Sequence, residues 1–261
     1  MEINEGHAKK ILRLLDYGLV SGLGNPEPGQ MCVEALVCYA LGLPHGDNPP
    51  CVSPALRSLK IRLNDASWSS HTARAKGLRR LALAQLGSVG VLDEKEFLSR
   101  VVDHAIRVSV PEAMRVSASI IKNPDHKAAM IAAAARCEKD GTREAAIEAK
   151  KTATAAAAYA AAYYAADAAA YAADAAADAA DAADADAAAY YAADAAAYAA
   201  DADADAADAD AAYAADADAD AADADATRDK SLANYAEAVV QILIEMKAPG
   251  CQWLDLTEET T

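Results

Sequence analysis

The sequence predicts an all-α protein: a helical N-terminal domain, then long Ala-rich helices folded back on themselves, then a C-terminal docking helix. Three observations carry this. Apolar residues recur at steps of three and four through the first 140 residues. No period-two run of β-branched residues occurs, and no hairpin dipeptide joins two such runs. Finally, the 106 residues from Thr142 to Lys247 contain neither Gly nor Pro and are dominated by Ala, the strongest helix former.

The first helix carries Ile11, Leu12, Leu15 and Leu19 on one side and ends by Gly22 and Gly24. The segment NPEPG, residues 25–29, can only turn, because its prolines fix φ. MCVEALVCYALGL is apolar nearly all round except at Glu34, and such a helix belongs in the middle of a core. The four prolines of PHGDNPPCVSP make it a shaped loop whose last residue, Pro54, opens a helix carrying Leu56, Leu59 and Leu63. NDASWSSH ends that helix through competing side-chain hydrogen bonds. A helix basic on one side follows from Arg74 to Leu86. Asp93 with Glu96 caps a helix through Val108, Pro111 opens another through Ile121, and Asn123 with Pro124 starts one that ends at Gly141.

Between Thr152 and Ala226 lie 75 residues: 48 Ala, 17 Asp, 8 Tyr and 2 Thr. The tract grew by duplication, since YYAADAAAYAADA occupies 163–175 and again 190–202, and AYAADADADAADADA occupies 197–211 and again 212–226. Tyr164, Asp167, Tyr171, Asp174, Asp178 and Asp181 form an inverted heptad stripe, with large polar side chains on the stripe and methyl groups elsewhere. As one helix, residues 142–226 would span about 128 Å at 1.5 Å per residue, so a fold-back is expected, with Asp181 to Asp186 able to turn. Seventeen Asp in helix interiors cost on the order of 10 kcal/mol relative to Ala. Counterions, a basic partner or tertiary packing must offset this, and helicity is expected to rise below about pH 4 or with added salt. The resulting division is 1–140, 141–227 and 228–261, with Leu232, Tyr235, Val239, Leu243 and Met246 as the docking side of the last segment.

The formal net charge is −16 and the tract alone carries −17, so the other 186 residues sum to about +1. This argues against a basic nucleic-acid binder and an anionic-membrane binder, which need clustered Lys and Arg. No secretion signal or transmembrane stretch is legible, and five sparse cysteines suit reduced thiols, so a soluble cytoplasmic protein is expected.

Chemistry is sparsely signalled. Cys32, Cys38, His45 and Cys51 lack the short knuckle of a zinc site, and Cys32 and Cys38 fit better as small buried hydrophobes of a core helix, so no metal or cofactor is expected. Glu34 is more informative. A carboxylate on an apolar helix must be paired or face a cavity, with Arg57, Lys60 and Arg62 as candidate partners. Together with His45, Asp47, Asn64 and Asp65 it can form a polar pocket. In the tract, Asp174, Asp181, Asp201 and Asp208 represent the anionic binding surface.

MCVEALVCYALGLPHGDNPPCVSPALRSLKIRLNDASW resembles the N-terminal signature of a bacterial and phage protein family without assigned activity, in which an Ala-rich tract and an apolar closing helix like AVVQILIEMK follow. The tract also resembles those of immunity proteins of polymorphic toxin systems. The resemblance implies conflict-system biology and marks Met31, Cys32, Glu34, Asp47, Cys51, Asn64 and Asp65 as signature positions. The leading expectation is a non-enzymatic interaction or sequestering protein, of immunity or anti-defence type, that presents an anionic helical surface to a basic protein partner. A self-associating structural protein is the alternative. An enzyme or metal protein using Glu34, His45 and Asp47 comes third.

Overall fold

The structure, a computed structural model, describes residues 3–157, 163–182, 184–211 and 217–258. Every regular element among them is a helix, and the single β-type contact is an isolated bridge between Gly24 and Met31. The N-terminal part contains α1 (Glu5–Leu15), α2 (Val33–Ala40), α3 (Pro54–Asn64), α4 (His71–Ala84), α5 (Glu94–His104), α6 (Val110–Ile120) and α7 (Pro124–Asp140). The tract adds α8 (Arg143–Ala157), α9 (Tyr163–Asp181) and α10 (Ala185–Ala211). A further helix, α11 (Ala217–Glu245), carries the end of the tract and the docking segment together. A 3-10 segment, Pro249–Thr257, closes on α4.

Local chemistry sets the helix ends. Asn4, Ser53, Ser70, Asp93 and Asn123 each accept a first-turn amide with their side chains, satisfying donors that have no partner inside the helix. Gly141 ends α7 at φ 61, where the Arg107 guanidinium donates to the carbonyls of Glu138, Lys139 and Asp140. One expected break is absent. Residues 94–120 form a continuous helix in which Ala105–Ser109 is a π turn, the Val110 amide reaching back to the Ala105 carbonyl. Pro111 lacks an N–H and its ring would strike the carbonyl four residues earlier in a regular helix. The wider turn relieves that conflict without ending the helix.

The tract is not an appended arm. It folds back between α9 and α10, and α10 packs against α9, α11, α3 and α6. Ala169, Ala172, Ala176, Ala189, Ala193 and Ala200 are fully buried in the same apolar cluster that holds Ile11, Leu36, Leu59, Phe97 and Val239. Methyl-lined faces let helix backbones approach closely with almost no side-chain entropy lost, so they fill core rather than extend into solvent. The predicted stripe faces outward: Tyr164, Tyr171, Asp178 and Asp181 are exposed and Asp167 and Asp174 half-buried. Leu232, Tyr235, Val239 and Leu243 of α11 are buried as expected, with Met246 at the edge of the core.

The loop before α2 depends on one glycine. Gly24 sits at φ +69, and a Cβ there would lie 1.9 Å from the Gln30 carbonyl oxygen, a backbone atom that cannot swing away. Replacing Gly24 by Ala is expected to cost about 2 kcal/mol or more, read as a lowered urea midpoint. An unchanged midpoint would show that the turn can reform.

Candidate functional site

The first candidate site grows from the N terminus of α2. The Cys32 sulfur accepts the Ala35 amide, which fixes the first turn and leaves Glu34 pointing into the core. α3 runs alongside and brings Lys60 to it. Nζ lies 3.1 Å from Glu34 Oε1, without the angles of a hydrogen bond, and both side chains have 0% exposure. Asn64, at the end of α3, accepts the Val33 amide at 3.2 Å and donates to the Val20 carbonyl at 2.9 Å. Asp65 accepts from the Gly22 amide at 2.7 Å and from Asn64 at 2.8 Å. The buried Arg74 guanidinium joins the Asn64 and Leu19 carbonyls. Asn64 and Asp65 therefore tie the 20–24 loop to the starts of α2 and α4.

Glu34, Asp47, Asn64 and Asp65 line one cavity of about 40 Å³ together with apolar Leu23, Val33 and Ile61. His45 stands apart on the loop surface, its Nε2 3.1 Å from the Gly24 carbonyl. A volume of this size admits two or three water-sized molecules and no organic substrate. Burial pushes the Glu34 carboxyl up from its ordinary value against the pull of Lys60, and pushes the Lys60 ammonium down against the pull of Glu34. Burial also raises the Cys32 and Cys51 thiols and takes Cys38 to about 11, so these sulfurs stay protonated and weakly nucleophilic at neutral pH. Among the described residues, no group of three or more His, Cys, Asp or Glu is arranged to hold a metal ion.

The second candidate site is the outer surface of the tract. Three of the carboxylates singled out in the sequence are paired within the chain: Asp174 with Lys150 at 2.7 Å, Asp181 with Arg143 at 3.3 Å and Asp201 with Arg228 at 3.0 Å. The side chain of Asp208 lies outside the described residues. Two additional carboxylates of the tract are paired as well, Asp194 with Arg62 and Asp225 with Arg228. The Arg62 guanidinium also lies 6.0 Å from the centre of the Tyr198 ring. Asp167, Asp178 and Asp186 make no ion pair among the described residues and share their helices with exposed Tyr164, Tyr171, Tyr190 and Tyr191. Composition could not show which carboxylates stay open. The cations that neutralise the paired ones come from α3, α8 and α11, so only the packing decides.

No protein-family model, curated protein or solved structure matches this chain. Among the described residues no helix is long and apolar enough to cross a membrane.

Proposed function

We propose that this protein is a non-enzymatic interaction protein that engages a basic protein partner through the outer face of α9, in a sequestering role of immunity or anti-defence type. The observation that carries this reading is the composition of that face. Tyr164 and Tyr171 are 74% and 50% exposed beside Asp167 and Asp178. Tyrosine supplies large contact area at low entropy cost, and open carboxylates select a basic surface. A self-associating structural role is less well supported, because among the described residues the methyl faces that would drive it are covered within the molecule. The buried cavity near Glu34 is too small for substrate chemistry and serves the fold.

The reading is tested by affinity capture from host extract with the wild-type chain and a Y164S/Y171S/D178N variant, each sized by light scattering. A monomer or small oligomer that retains a basic protein, and loses it both in the variant and at raised salt, is the expected result. A large homo-assembly, or capture indifferent to the variant, overturns it.

A further inference from the structure

The duplication in the tract offers an internal comparison. Residues 163–175 and 190–202 are identical in sequence, so Asp167 corresponds to Asp194, Tyr171 to Tyr198 and Tyr164 to Tyr191. The copies largely agree in environment: in each, the first Asp is half-buried and the alanines around it are buried, while the Tyr four residues on is exposed in the first copy and half-buried in the second. In the second copy the Asp–Tyr pair already holds a ligand. Arg62 Nε donates to Asp194 Oδ1, and the guanidinium lies over the Tyr198 ring at 6.0 Å. In the first copy no cation of the described chain pairs with Asp167, and the Tyr171 ring is half exposed. Tyr171 stacks on Tyr198 itself, with ring centroids 5.3 Å apart and planes at 30°.

The geometry points to Asp167 and Tyr171 as a receptor for an arginine guanidinium of the basic partner, the counterpart of the site that Arg62 fills at Asp194 and Tyr198. This rests on the interaction reading above and deepens it by naming the recognised group. The chemistry selects Arg over Lys. A planar guanidinium can lie on an aromatic face while its N–H groups fork to a carboxylate one helical turn away, whereas an ammonium is a compact, strongly hydrated point charge. The i,i+4 spacing puts Asp167 and Tyr171 on the same side of α9, so one side chain can reach both. Lys150 and Arg143 occupy Asp174 and Asp181 further along the same stripe, which leaves Asp167 as the open acid next to the ring.

The test uses the full chain and two fluorescent peptides, hexa-arginine and hexa-lysine, titrated at physiological ionic strength with anisotropy as the readout. Hexa-arginine is expected to bind about ten-fold more tightly than hexa-lysine. Asp167→Asn and Tyr171→Leu should each bring the two affinities close together, while Tyr171→Phe, which keeps the ring, should preserve the preference. Asp178→Asn removes the same charge outside the pair and should weaken both peptides equally, leaving the ratio intact. Circular dichroism melts confirm that each variant is folded. Equal affinities for the wild type, or a ratio unaltered by Asp167→Asn and Tyr171→Leu, overturn the receptor. If that happens while a basic protein is still captured in a manner sensitive to the Y164S/Y171S/D178N variant, the interaction reading survives without it. If no basic protein is captured at all, the interaction reading has failed with it.

Discussion

Replacing Lys60 by Met is expected to destabilise the protein by about 3–5 kcal/mol at neutral pH, because it leaves the Glu34 carboxylate in a fully buried position without its cation. The loss should shrink in acid. Burial without a cation raises the folded-state pKa of Glu34 further above its unfolded value. The proton uptake that relieves the strain is complete below the ordinary 4.5 and absent once the pH has risen through the folded pKa. The double variant Glu34→Leu with Lys60→Met removes both charges and should recover most of the loss, since an apolar pair of similar volume avoids two desolvation penalties. Urea midpoints of the three proteins at pH 5 and pH 8 decide the matter. A loss under about 1 kcal/mol for the single variant at pH 8 would mean that water or a backbone shift hydrates Glu34.

Asp203→Asn is expected to have the opposite sign. Asp203 sits on α10 against α11 with 6% exposure, accepts the Ser231 hydroxyl through Oδ2 and leaves Oδ1 without a hydrogen-bond partner. Glu112 on α6 is the other charge that bears on it and disfavours ionisation too. Burial pushes its carboxyl up from 3.8 to about 6. A raised folded-state value means that the stabilising, protonated form is fully present below 3.8 and is lost as the pH rises through about 6. At roughly 1.4 kcal/mol per pH unit, the interval corresponds to about 3 kcal/mol of destabilisation by the ionised side chain at pH 8. Asparagine keeps an acceptor for Ser231 and carries no charge. The variant should therefore exceed the wild type by up to about 3 kcal/mol at pH 8 and match it near pH 4. An advantage that is constant with pH would trace the effect to packing instead.

The two buried carboxylates differ in how legible they were. Glu34 was visible as the single charge on an apolar helix, and Lys60 was among three cations one helix away in sequence. Asp203 had no such signature, because in the sequence it is one of seventeen identical side chains in an Ala background. Helix boundaries followed the same division. Pro54, Asn123 and Gly141 act through their own backbone chemistry and stop or start helices where expected. Pro111 fails to start a new helix because a π turn, stabilised by packing on both sides, absorbs its ring. Proximity in sequence groups His45 with Glu34, yet the ring meets the Gly24 carbonyl and does not line the cavity that Asp47 reaches.

By itself the sequence determined that the chain is helical and, for α9, which side carries methyl groups and which carries Tyr and Asp. Both follow from Ala propensity and from a spacing of three and four residues, which are properties of a single helix. The tertiary structure alone decided that the tract is core and not arm, and which carboxylates are neutralised. The pairing of Arg62 with Asp194 joins positions 132 residues apart. Such a contact depends on how helices cross, and Coulombic attraction matters only once that crossing has brought the charges within a few ångströms.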